Sequence, residues 1–173
     1  MDNNDILIRL RYALDIKDTD MVEVFKLGDV TATKEEVLKI LTKSPDSDDE
    51  EEDFAENIVS EDHMPCTNLM LESFLNGFII FKRGRQEPKP GQVQKPPLMI
   101  KNNDSVNNVV LKKLKIALSL TSDDMLSILE EAGVTLSRGE LSAVFRKEGH
   151  RNYMPCEDQY VKNFLKGLAL RYR

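Results

Sequence analysis

Met64-Pro65-Cys66, seven further residues and then Phe74-Leu75-Asn76-Gly77 form the stretch that decides the architecture, because it returns ninety positions later as Met154-Pro155-Cys156 and Phe164-Leu165-Lys166-Gly167. The chain is a tandem repeat, and a repeat takes precedence over any reading of single elements. Working outward, Asn3-Asn4-Asp5-Ile6-Leu7 pairs with Asn107-Asn108-Val109-Val110-Leu111 at an offset of 104. Without gaps, residues 3–43 match 107–147 at 12 of 41 positions and 64–83 match 154–173 at 7 of 20, which places the duplication beyond chance. The offset falls from 104 to 90, so the first copy carries 14 residues that the second lacks. Those residues lie between Lys43 and Met64 and read as a loop rather than an element.

Each copy is small: with 173 residues in all, the second spans only 107–173. A unit of that size buries only about 60% of its unfolded surface and is marginal alone, so the two copies are expected to pack on each other and share apolar surface. The start, Met1-Asp2-Asn3-Asn4-Asp5, is acidic rather than basic, and no apolar run approaches the roughly 20 residues that a spanning helix needs. A cytoplasmic protein with no membrane partner is the expectation. Two cysteines far apart do not make a disulfide framework.

In each copy the first helix carries apolar residues at i, i+1, i+4, i+7 and i+8, as Ile6, Leu7, Leu10, Ala13 and Leu14, and again as Val110, Leu111, Leu114, Ala117 and Leu118. A second stripe, Ile8, Tyr12 and Ile16, makes this helix the expected layer between the copies, in preference to a dimer contact. The second helix opens near Asp18 or Ser122 and closes at Gly28 or Gly133. The third opens with a Ser/Thr-x-x-Glu capping box in both copies, at Thr33 to Glu36 and Ser137 to Glu140. The fourth is expected to start at Pro65 or Pro155 and to bury Leu71, Phe74, Leu75 and Phe78, or Val161, Phe164, Leu165 and Leu168. Glycine inside a helix costs roughly 1 kcal/mol against alanine, so the recurrence of Gly77 as Gly167 predicts that another helix crosses closely there.

The organisation read from these signals is a first helical repeat over 2–83 with an acidic insertion at 44–63, a Pro-rich linker over 84–106 and a second repeat over 107–173. The fold class is all-α: two tandem four-helix repeats packed with approximate two-fold symmetry. Seven carboxylates crowd the eight positions from Asp46 to Asp53. Such a block repels itself and stays solvated, and it lacks the spaced ligands and Gly turn of a calcium loop.

The Asn-Asn-x-x-Leu at Asn3 and Asn107, the Asp-Asp-Met at Asp123 to Met125 with Thr-Asp-Met at Thr19 to Met21, and the Phe-Leu-x-Gly pair are similar to those of the YehS-like bacterial proteins. That family is described as a domain of unknown function occurring twice in one chain, and the likeness runs from Asn3 to the C-terminus. The resemblance implies an all-helical cytosolic bacterial protein and carries over no catalytic residue.

The chemistry-bearing residues are few. Cys66 and Cys156 are candidate reactive thiols if they sit in the first turn of a helix, where the dipole and free amides lower a thiol pKa. The bland alternative is a small buried residue, and it is favoured because no Cys-x-x-Cys accompanies either one. His63 stands three before Cys66 but His150 six before Cys156, so the copies do not repeat a metal-ligand spacing and no metal is expected. No hydrolase elbow, phosphate loop, dinucleotide fingerprint or His-Glu zinc motif occurs, so no cofactor and no small-molecule substrate is identified, and an enzyme is the minority reading.

Nucleic-acid binding is the stronger rival. Residues 101–173 hold 12 Lys and Arg against 9 Asp and Glu, although the chain as a whole is at −6. Lys112, Lys113, Lys115, Arg146, Lys147 and Arg151 form the candidate nucleic-acid surface, with a helix-turn-helix-like element from Asp123 to Lys147. The preferred expectation is a non-enzymatic module that binds another protein or itself. A regulator that binds nucleic acid is the alternative, and a thiol enzyme the remote one.

Overall fold

Local sequence signals place most of the helix boundaries. In a computed structural model, which describes residues 2–42, 64–84, 100, 105–146 and 150–172, these residues form eight α-helices and no strand. They are α1 (Asn3–Leu14), α2 (Asp18–Leu27), α3 (Lys34–Ile40), α4 (Asn68–Arg83), α5 (Val106–Ala117), α6 (Ser122–Glu131), α7 (Arg138–Val144) and α8 (Asp158–Tyr172). Both expected capping boxes are present: Thr33 and Ser137 accept from the amides of Glu36 and Glu140, whose carboxylates answer the cap amides. Two more, at Asp2 with Asp5 and at Thr121 with Asp124, start α1 and α6. The turns repeat as well. Asp15 and Ser119, 104 positions apart, are both left-handed, at φ 50° and 53°, and Asp29 and Gly133 follow suit at 68° and 88°.

The fourth helix of each repeat starts later than proline preference predicts. α4 and α8 begin at Asn68 and Asp158 rather than at Pro65 and Pro155. The reason is long-range: the backbone around Cys66 and Cys156 is held extended by the asparagines of α1 and α5, and in the first copy Thr67 then caps the helix by accepting from the Met70 amide. In the second copy α6 closes at Ala132, one residue before the expected Gly133.

Within each repeat the fourth helix packs on the second, α4 on α2 and α8 on α6. Between repeats the pairing is reciprocal: α1 of the first lies on α8 of the second, and α4 of the first on α5 of the second. The first helix of each copy is thus the inter-repeat layer, although the second stripe is only half-buried at Ile8, Tyr12 and Ile16 and exposed at Ile116, while Arg9 and Lys113 are buried. Ile6, Leu7, Leu10, Leu114, Phe74 and Phe164 belong to one core that runs through both halves. The expected buried row Leu71, Phe74, Leu75 and Phe78, and its copy Val161, Phe164, Leu165 and Leu168, is in that core throughout.

The close crossings lie at the glycines. A Cβ on Gly77 would stand 2.0 Å from the Val24 carbonyl oxygen, and one on Gly167 would stand 2.2 Å from that of Ile128. Gly28 answers from the other side of the first crossing, where a Cβ would meet the Ser73 carbonyl oxygen at 1.8 Å. Glycine is therefore required so that α2 and α4, and α6 and α8, meet backbone to backbone. The acidic insertion at 44–63 lies outside the described residues, as does most of the linker at 84–106.

Candidate functional site

The chemistry-bearing residues fall into three places: the two thiol loops, a buried ion pair between the repeats, and the basic residues of the second half.

Each thiol loop is fastened by the Asn-Asn pair that opens its repeat. Asn4 donates to the carbonyls of Ile40 and Met64, at 2.7 and 2.9 Å, and accepts from the Cys66 amide at 2.9 Å. Asn108 does the same for Val144, Met154 and Cys156, at 3.0, 2.9 and 2.9 Å. Their neighbours Asn3 and Asn107 donate to the Cys66 and Cys156 carbonyls, both at 3.0 Å, and to the side chains of Asn68 and Asp158. One side-chain amide therefore joins α1, the end of α3 and the loop before α4. It satisfies backbone groups that no helix covers, which is what a buried loop requires.

Cys66 and Cys156 point inward from these loops, buried and free. Burial pushes both thiols up to about 12, helped by Asp2 beside Cys66 and by Asp158 and Glu157 beside Cys156. Neither lies in a helical turn, so the amides that would have favoured a thiolate are not aimed at it. His150 is exposed and its Nδ1 accepts from the Asn152 amide, whereas His63 lies outside the described residues. Among the described residues no three His, Cys, Asp or Glu side chains gather as a metal ion would need.

The six basic residues singled out from sequence are not one surface. Lys113 is buried, 3% exposed, where α5 meets α4. Its ammonium lies 3.3 Å from a Glu72 carboxylate oxygen and donates to the Asn76 side-chain oxygen, while the second Glu72 oxygen accepts from the Ile100 amide at 2.8 Å. Burial lowers the Lys113 pKa and the Glu72 carboxylate pulls it back up. Lys115 stands 5.2 Å from the centre of the Phe145 ring, which brings a cation of α5 beside the end of α7, next to exposed Arg146. Lys112 is half-buried and Arg151 exposed, and Lys147 lies outside the described residues. Two further arginines are engaged by acids: Arg138 bridges to Asp123, and Arg171 to Glu131 at 3.1 Å.

The model of the family described as "Protein of unknown function (DUF1456)" matches residues 3–84 and 107–173. The chain belongs to that family. The two matched segments each hold one Asn-Asn pair and one Met-Pro-Cys loop. The chain is also 40% identical over 169 residues to the Escherichia coli (strain K12) "Uncharacterized protein YehS", an alignment covering 98% of this chain and 95% of that relative. No solved structure matches. Among the residues that both segments repeat, the asparagines clamp the thiol loops and the glycines let the helices cross closely.

Two features escaped sequence reasoning. The structural task of the Asn-Asn pairs was legible only as their recurrence, since their partners are backbone groups 36 and more positions away. The Glu72–Lys113 pair joins different repeats and is not repeated, because the positions equivalent to Lys113 and Glu72 are Arg9 and Lys162. No reading of either helix alone pairs the two.

Proposed function

We propose that this protein is a non-enzymatic cytoplasmic module that acts by binding another protein. The observation that carries the reading is where large apolar side chains meet water. The last turns of α4 and α8 are equivalent in the two repeats, and they expose Phe81 on one and Leu170 and Tyr172 on the other, the last two at 60% and 48%. Apolar groups left in water at matched ends of a duplicated scaffold are the kind of surface that partners cover. The thiols support the non-enzymatic part: with both pushed up to about 12, neither is a nucleophile at neutral pH. Free, unpaired cysteines fit a reducing compartment.

The test is capture of the tagged chain from its own cell extract, with and without nuclease, beside a Leu170→Asp/Tyr172→Asp variant of unchanged helicity. A protein that survives nuclease and moderate salt on the wild type, and is lost from the variant, is the expected result. Nucleic acid recovered by both chains and removed by nuclease would replace the reading with the nucleic-acid one. Half-buried Lys115 and exposed Arg146 and Arg151 would then be the residues to change.

A further inference from the structure

The two inter-repeat contacts, α4 on α5 and α1 on α8, occupy equivalent places in a duplicated chain, but their charges differ. On α4 and α5 the buried set is Glu72 and Asn76 against Lys113, an acid and an amide facing a base. The equivalent positions on α8 and α1 hold Lys162, half-buried, Lys166, exposed at the rim, and Arg9, buried. Asp5, buried one turn before Arg9 on α1, has no acidic counterpart on α5, where the position is Val109.

A duplicated protein has two ways to pair its halves. The observed one joins unlike repeats within a chain. The other joins like repeats from two chains, so that α1 meets α4 of a second copy, or α5 meets α8 of a second copy. Substituting the residues decides between them. Pairing the second repeat with its own copy would set Lys113 against Lys162 and Lys166 without the buried Asp5 that α1 carries one turn before Arg9 where it meets those lysines in the native contact. A buried charge that loses its partner is strongly unfavourable, far more so than a surface mismatch. Pairing the first repeat with its own copy would set Arg9 against Glu72, which is compatible.

We infer that the Glu72–Asn76–Lys113 cluster, opposed by Lys162 and Lys166, is an interface code: the α5–α8 face of the second repeat accepts an acid-bearing repeat and rejects a second copy of itself. Buried polar groups that fix a pairing register at some cost in stability are a known device. Here the occupant favoured is the first repeat, and the one excluded is the second repeat of another chain.

Two single charge reversals in the full-length protein separate this from a merely structural ion pair, because both break the same contact. Lys113→Glu leaves the native pairing repelled but makes both like pairings attractive, Glu against Lys162 and Arg9 against Glu72. Glu72→Lys also repels the native pairing but leaves the second repeat's pairing with its own copy as repelled as before. The expected result by light scattering after size exclusion is a twofold, concentration-dependent rise in mass for Lys113→Glu. Glu72→Lys is expected to show no such rise. The double reversal Glu72→Lys/Lys113→Glu restores complementary unlike pairing and is expected to return to wild-type mass and helicity.

Equal behaviour of the two single variants in folded material, or a double variant that does not recover, overturns the inference. If Lys113→Glu does not fold, Lys113→Gln removes the repulsion more gently and carries the same reading. A rise in mass above wild type at high concentration supports the inference, and wild-type mass at every concentration overturns it.

Discussion

At the scale of single residues, the fold depends on two side-chain amides. Asn4 and Asn108 each satisfy three backbone groups of the thiol loop and the preceding helix. Removing such a side chain leaves those groups buried without partners, at a cost of about 1 kcal/mol or more apiece. Asn4→Ala and Asn108→Ala are therefore expected to lose roughly 3 kcal/mol each, read as a lower urea midpoint with unchanged slope. The thiols these amides hold make a second prediction, of opposite interest to an enzymologist. Their folded pKa of about 12 stands above the 9.0 of an unperturbed thiol, so the folded state keeps protons that the unfolded state releases. Stability from this source is complete below about pH 9 and is lost progressively as pH rises toward 12. A Cys66→Ala/Cys156→Ala variant is expected to show a shallower decline over that range in urea titrations. The wild type is expected to react with a thiol reagent at pH 8 only as fast as it unfolds.

At the scale of elements, four helical or helix-edge glycines of similar appearance in the sequence have different consequences. Gly77→Ala and Gly167→Ala would drive a methyl group into the backbone of α2 and α6, at 2.0 and 2.2 Å from carbonyl oxygens that cannot rotate away. Each is expected to cost about 2 kcal/mol or more, typical of overpacking that forces backbone to shift. Gly139→Ala in α7 meets nothing nearer than the Ser137 Oγ at 3.9 Å and is expected to stabilise by up to about 1 kcal/mol through helix propensity alone. Thermal melts followed by circular dichroism separate the three by sign. Gly28, at the end of α2, faces the same crossing as Gly77, and its place in the second repeat is taken by Ala132, so that α6 and α8 meet at one glycine instead of two. This contrast also shows what was legible in the sequence. Capping boxes and crossing glycines were readable because each signal is contained in a few consecutive residues or in a repeated glycine. The start of α4 was not: proline at position 65 favours a helix there, and a hydrogen bond from the Cys66 amide to Asn4, 62 residues away, overrides it. The same distance problem hid Lys113, which reads as one cation of a basic face until Glu72 of the other repeat is placed beside it.

At the scale of the whole molecule, the reciprocal packing makes each half depend on the other. α1 is covered by α8, and α5 by α4, so a separated half would expose one face of its first helix and one of its fourth. A unit this small already has little apolar burial to set against chain entropy. The single core running through both repeats also predicts one cooperative transition rather than two. Fragments 1–84 and 105–173, each alone, are therefore expected to show little helical circular dichroism and no sigmoidal urea transition. Mixed in equal amounts, they are expected to recover the helicity of the intact chain with a midpoint that rises with concentration, since association then supplies what the linker supplied before. The fragments also test the charge asymmetry from another direction. At concentrations high enough for the first half, with Arg9 and Glu72, to pair with its own copy and gain helicity, the second half, with Lys113, Lys162 and Lys166, is expected to stay monomeric and without helicity. Two fragments that each fold cooperatively with the midpoint of the full chain would show that the repeats are independent domains, and that the interface between them is not what holds the first helix of each in place.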